Sequence, residues 1–496
     1  MTDNTLNRAT FPKSHQIGAS APENPGIVHL GIGNFHRAHA SVYTAKAMAA
    51  QGGNWGIVGV ANRSHRVVDA LTAQDHLYSI LEMSPAGVSA DIVDVHRKCL
   101  VAAEQPMDVM DEIANPDRKI VTMTISENGY LANAQTGHLD VDSDVLKADL
   151  ANPEVATTMV GLLSRGLLRR WQQGGAPITV LSCDNMQSAG TTSHRTVTEY
   201  LQALKAPAEV FDWLASSVTF PNAMVDRIVP GTTDATRAKV QELLGLEDKV
   251  PVPAEKFTMW VIEDKFAAGR PAWETAGAIF SDEVEKYELV KLRLLNGSHS
   301  LIAYLGGLLG SATIPEARSH DFVAQCVDAA IRNEYLPSID LPEGFDSDAY
   351  IAELFDRWLN FALGDATSRV GSDGSLKLLQ RVPVPALRML DMGEMPQQLA
   401  LTVAAWICCV APPAGFDPGE VAAAMIEPAR DRLAKAVAGA TDISSHVTAI
   451  MQGGFFPDDL AAHDEFTARV ADLTEIIVRS GVQAAAEDAL ASAVTA

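Results

Sequence analysis

The chain has 496 residues, 47% of them hydrophobic and 20% charged, with a formal net charge of −24. That length can bury large cores and predicts two domains or more. So acidic a balance makes nucleic acid and anionic membranes poor partners, but it leaves a phosphate-bearing ligand open, because local donors decide that. Cys99, Cys183, Cys326, Cys408 and Cys409 are too few and too scattered for a disulfide framework or a Cys-x-x-Cys zinc site. Cys408 and Cys409 sit in an apolar run and read as core thiols.

In chain order, residues 1–26 read as a polar arm without the apolar region of a signal peptide. Ile27-Val28-His29-Leu30 is a short apolar run of the kind found in buried parallel strands. Gly31-Ile32-Gly33 follows at once, and helix formers occupy Ala40 to Ala50. Strand, glycine turn and helix form the setting of a dinucleotide fingerprint, in which backbone without Cβ atoms approaches the pyrophosphate. The third glycine is missing and His36 stands in its place, so by spacing alone the match is truncated. Arg37 is a candidate phosphate contact, with a surface salt bridge as the plain alternative. His36 and His39 have the spacing of a metal pair, but no Cys or carboxylate stands beside them at ligand spacing.

Trp55 to Val60 is expected to be the second strand, with Lys119 to Ile125 and Ile178 to Cys183 as later ones. After the second strand comes Ala61-Asn62-Arg63-Ser64-His65-Arg66, with no acidic residue before Asp69. NAD-selective sites place a carboxylate near here for the ribose 2′-hydroxyl. Arg63, Ser64 and Arg66 are instead suited to a 2′-phosphate, or else face solvent. After about Asp282 the strand signal fades. Ala- and Leu-rich helical patterns such as Ala429 to Ala438 and Glu465 to Ala489 take over, and Asp340 to Ser347 reads as a loop. Leu399 to Ala411, the longest apolar stretch, is too short to span a bilayer. A cytoplasmic, reducing location is the default expectation. The predicted fold is α/β, a doubly wound domain over 27–281 followed by a mainly α-helical domain over 282–496.

The run Lys291-Leu292-Arg293-Leu294-Leu295-Asn296-Gly297-Ser298-His299 carries an amine, a carboxamide and an imidazole. On an α-helix, at roughly 100° per residue, Asn296 lies roughly 140° and His299 roughly 80° round from Lys291. One face can carry all three while the leucines pack behind. A lysine desolvated among leucines has a lowered pKa and suits a general base near neutral pH. Asn296 and His299 can hold an alcohol oxygen as it becomes a carbonyl. The alternative is a solvated helix face.

Together these stretches resemble the mannitol 2-dehydrogenase family of polyol-specific long-chain dehydrogenases and reductases, which includes fructuronate reductases and arabinitol dehydrogenases. Thr124 to Tyr130, Ser182 to Asn185, Phe220 to Ile228, Trp260 to Phe266 and Arg369 to Lys377 carry the resemblance further. It implies a Rossmann-like cofactor domain and a helical substrate domain. It also implies metal-independent, NAD-dependent interconversion of a secondary alcohol and a ketone on an open-chain sugar derivative, with NADP possible.

The resemblance assigns roles. Lys291 matches the general base. Asn185 and Asn296 match amides that stabilise the developing alkoxide, His299 a substrate-positioning imidazole, and Glu127 a carboxylate that passes the proton toward solvent. Asp226, Arg369 and Lys377 match contacts to the distal hydroxyls. Gly31, Gly33, Phe35, Arg37 and Arg63 fall on the cofactor side. Arg369 fits the polyol dehydrogenases, whereas Leu379-Gln380-Arg381 resembles the reductases, so a sugar-acid substrate stays open beside a polyol. A catalytically inactive NAD(H)-binding regulator is the alternative from another class, and the intact lysine run speaks against it.

Overall fold

The computed structural model describes residues 4–133, 136–152 and 155–493, with the side chains of 127 and 493 outside the description. The chain divides into two compact units, Met1–Glu285 and Lys286–Ala496. The division falls inside the helix Val284–Val290, a few residues beyond the boundary expected after residue 281.

Among its described residues the first unit has twelve strands: β1 (Pro25–Leu30), β2 (Gly56–Ala61), β3 (Tyr78–Ser84), β4 (Gly87–Val93), β5 (His96–Val101), β6 (Ile120–Met123), β7 (Ile178–Ser182), β8 (Val218–Thr219), β9 (Ala223–Asp226), β10 (Val252–Glu255), β11 (Met259–Ile262) and β12 (Ile279–Phe280). Six form a sheet in the order β5-β2-β1-β6-β7-β8, with every neighbour parallel. Side chains alternate between its faces, as a pleat requires. Val28, Leu30, Val58, Val121 and Val180 pack with Val109, Leu163 and Val197 on one side. Ile27, Ile57 and Ile120 pack with Tyr43, Trp260 and Trp273 on the other. Burial on both faces explains why these strands are continuous apolar runs. This is the Rossmann-like domain the sequence predicts.

Two smaller sheets, β10-β3-β4 and β12-β11-β9, were not legible in the sequence. The first 26 residues are not a separate arm. Leu6 is fully buried, Thr5 bridges to Glu247, and Arg8 donates to the buried Asp94 at 2.8 and 3.0 Å. One apolar anchor and one buried carboxylate are enough to tie a polar segment down.

The second unit is helical among its described residues. Its centre is Gln397–Val410, buried at every position, against which Ser298–Leu309 and Asp464–Ser480 pack. The expected long helix over 465–489 is two helices, because Gly481 at φ +89° ends the first. No helix among the described residues is long and apolar enough to cross a membrane.

Candidate functional site

The sheet order reverses between β1 and β6, and ligands of doubly wound sheets bind at the carboxyl ends of the strands beside that point. Gly31 lies there at φ +107°, and a Cβ on it would stand 2.1 Å from the Thr124 carbonyl oxygen. Gly33 is exposed, and a Cβ there would meet nothing nearer than the Gly31 oxygen at 3.8 Å. Gly31 is therefore required by the fold. Gly33 leaves open backbone of the kind a pyrophosphate approaches, so the turn fits a dinucleotide. Phe35 is half-buried and stacks on His39 at 5.0 Å.

Arg37 is not a phosphate contact. It is 1% exposed, and its guanidinium donates to the Val250 carbonyl at 2.5 Å and to Asn34 Oδ1 at 2.6 Å. A buried cation needs donors satisfied inside the protein, and these two oxygens take Nη1 and Nη2, while Nε has no partner among the described residues. His36 and His39 do not form a pair either. His36 Nε2 lies 3.1 Å from His96 Nε2, while His39 Nε2 lies 3.0 Å from the Met259 carbonyl oxygen. His29 stacks on His36 at 3.3 Å and reaches Thr122, Thr124 and the Gly31 carbonyl at 2.8–2.9 Å. Burial pushes the His29 imidazole down to about 3 and holds His36 and His96 well below the usual value. Among the described residues no group of three or more His, Cys, Asp or Glu is arranged to hold a metal ion.

Residues Asn62 to Arg66 follow β2 and are all exposed. Arg63 and Arg66 have no ion-pair partner among the described residues. A carboxylate does stand at this loop, and sequence order hid it. Because β5 pairs with β2, Glu104 reaches His65 Nε2 at 2.6 Å.

Asn185 is exposed in the turn after β7. Behind it a network invisible to the sequence joins two motifs. Tyr130 bonds Ser182 Oγ at 2.5 Å and donates to the Asp184 carboxylate, which Ser182 also reaches at 3.0 Å. Tyr130 closes the short helix Glu127–Tyr130. The Glu127 side chain lies outside the described residues. Asp226 ends β9 and is 3% exposed, while Arg227 turns the other way to the Glu255 carbonyl at 2.9 Å.

In the second unit the lysine run differs from the expected α-helix. Lys291–Gly297 is a π-helix that passes into the α-helix Ser298–Leu309. Hydrogen bonds from i+5 to i widen the turn, so Asn296 comes closer to the face of Lys291 than it would on an α-helix. Such turns are rare and frequent at functional sites. Lys291, Asn296 and His299 are half-buried, whereas Arg293, Leu294 and Leu295 are buried. The Asn296 amide has no partner among the described residues. His299 lies 5.8 Å from the Trp358 ring. Leu292, expected behind the leucine face, is also half-buried.

Arg369 sits in the helix Thr367–Gly371 and donates through Nε to Asp365 Oδ1 at 2.8 Å and through Nη2 to the same oxygen. Lys377 donates to the Ser372 and Val370 carbonyls at 2.6 and 3.1 Å. Burial first, then the neighbouring Arg381 cation, lowers its ammonium to about 8. Arg381 itself reaches the Asn296 carbonyl at 2.7 Å and Ser300 Oγ at 2.8 Å. Its place beside the run, 85 residues away in sequence, gave no local signal.

Residues 25–275 match the mannitol dehydrogenase Rossmann domain and residues 283–478 the mannitol dehydrogenase C-terminal domain. The chain is 36% identical over 479 residues to a mannitol 2-dehydrogenase of Aspergillus fumigatus, covering 95% of this chain and 93% of the relative. Among solved structures, a ternary complex of Pseudomonas fluorescens mannitol 2-dehydrogenase with NAD and D-mannitol is similar at a TM-score of 0.83 and 30% identity, covering 98% of this chain and 99% of that one. A substrate-free D-sorbitol dehydrogenase is similar at 0.85 and 31%, covering 97% and 99%.

Proposed function

The chain belongs to the mannitol dehydrogenase family, and on that premise we propose that it is an NAD(P)-dependent oxidoreductase. It interconverts a secondary alcohol of an open-chain polyol and the matching ketose, of the mannitol-to-fructose type, without a metal. NAD is the first choice, supported by the NAD complex of the Pseudomonas fluorescens relative. Gly31 and Gly33 receive the dinucleotide, which supplies the hydride acceptor. The observation that carries the reading is the π-turn, where the lysine, the amide and the imidazole are half-exposed and their neighbours Leu294 and Leu295 are buried.

Lys291 takes the hydroxyl proton in oxidation and returns it in reduction. The Asn296 amide donates to the oxygen as negative charge develops, with Asn185 assigned the same role, and preorganised donors are effective because they need no reorientation. His299 orients the substrate, Glu127 passes the proton toward solvent, and Asp226, Arg369 and Lys377 hold distal hydroxyls. A neutral polyol is favoured over a sugar acid because Asp365 already pairs the Arg369 guanidinium, so a substrate carboxylate would compete for it.

The test is a panel of polyols, ketoses, mannonate and fructuronate with each nucleotide, followed by reduced-nicotinamide absorbance. Turnover of a polyol that survives dialysis against EDTA is expected. Turnover confined to the sugar acids, or a loss that zinc restores, would overturn the reading.

A further inference from the structure

We propose that Arg381 is a positioning residue for the reaction: its guanidinium fixes the π-turn and so sets the direction of the Asn296 amide. The functional half of this rests on the reading above; the structural half stands on its own.

A π-turn disturbs the regular helical ladder, and a displaced carbonyl in a buried setting needs another donor. Arg381 supplies it. Nη1 donates to the Asn296 carbonyl at 2.7 Å, in the π-helix, and to Ser300 Oγ at 2.8 Å, in the α-helix that follows. One nitrogen thus staples the junction from both sides. Arg381 is the last residue of the helix Gly374–Arg381, which also carries Lys377, so the staple joins that helix to the π-turn. A Cβ on Gly297, between the two anchor points, would lie 2.5 Å from the Tyr335 ring, so the turn is also closed from that side.

The cation is costly where it stands. Arg381 has no carboxylate partner among the described residues, and its Nε is buried without a hydrogen bond. A buried charge without a counter-ion is destabilising, and an apolar side chain of similar size would relieve that. What the guanidinium provides that an apolar residue lacks is the pair of directed bonds at the turn. Freed from them, the Asn296 backbone can rotate, and its amide loses its fixed aim at the substrate oxygen.

The experiment compares the parent protein with Arg381→Ala and Arg381→Lys, using Ser300→Ala to break half of the staple. Hydrogen exchange over residues 290–300 is read first, because it needs no substrate. Arg381→Ala is expected to exchange faster in this segment, with protection elsewhere and NADH affinity unchanged. In turnover, kcat is expected to fall by about ten- to a hundredfold, the scale of losing a hydrogen bond to a charged group, with KM moving less. Added guanidinium, well below denaturing concentration, should recover part of kcat in Arg381→Ala and none in the parent, and Arg381→Lys should fall between. Unchanged exchange at residues 290–300 overturns the proposal, as does a loss of protection spread through the whole chain. Altered exchange at the turn with kcat kept, or a loss that guanidinium does not relieve, overturns the positioning role. Absence of turnover in the parent with every substrate and nucleotide refutes the functional reading instead, while the exchange result still decides whether Arg381 holds the turn.

Discussion

The Nε2 atoms of His36 and His96 lie 3.1 Å apart, so one ring donates and the other accepts, and burial holds both rings neutral. His29 stacks on His36 from the other side and bonds the Gly31 carbonyl, which couples the three imidazoles to the glycine turn.

The first prediction concerns acid. Burial lowers all three histidines, His29 to about 3. The unfolded chain binds protons at these groups below about 6.5, whereas the folded chain does not. Their contribution is therefore present above about 6.5 and lost as pH falls below it, at about 1.4 kcal/mol per pH unit for each group. Melting temperature should fall steeply below this pH in the parent and more gently in His96→Phe. Parallel slopes would show that the stack does not titrate on unfolding.

A second titration runs the other way. Glu334 is 3% exposed and accepts the Gln398 and Leu399 N–H groups at 2.7 and 2.8 Å, yet burial raises its carboxyl to about 8. The folded chain keeps a proton here that the unfolded chain has released. Stability from this group is full below its ordinary value of about 4.3 and lost as pH rises through about 8. Glu334→Gln should flatten the fall in melting temperature between these limits. An unchanged slope would mean the carboxylate stays ionised in the fold.

For Lys291, replacement by Ala should lower turnover by about a hundredfold or more, the scale of losing a general base. NADH affinity, read by fluorescence, should hardly move, because the lysine is assigned to the substrate. A near-normal rate would leave the run as helix surface.

The exposed loop after β2 makes the nucleotide testable. Arg63 and Arg66 have no ion-pair partner among the described residues, and the nearby Glu104 is engaged by His65 at 2.6 Å. With its carboxylate taken up by the His65 ring, this edge should tolerate a 2′-phosphate. Arg63→Ala and Arg66→Ala should lower kcat/KM with NADP more than with NAD, by about tenfold at a well-made contact. Glu104→Gln should raise the NADP value. A strict NAD preference indifferent to all three substitutions would show that the loop does not reach the nucleotide.

Much of the fold was legible in the sequence because its signals are local. Ile27 to Leu30 is apolar at nearly every position, Gly31 and Gly33 follow at once, and the strands at 56–61 and 178–182 lie within a residue or two of where the sequence puts them. The nine residues from Lys291 suggest a chemical face because they lie in one short stretch of chain. Tertiary structure decided everything that needs a partner from far away. Arg37 is buried against Val250, 213 residues on, and so is a structural cation. His36 meets His96 rather than His39, and Glu104 comes to the β2 loop only through the pairing of β5 with β2. The π-turn itself belongs to this class. Helix propensity favours the regular ladder over a widened turn, so the widened turn persists where a contact such as Arg381 compensates its displaced carbonyl, and no pattern within the run reports that contact.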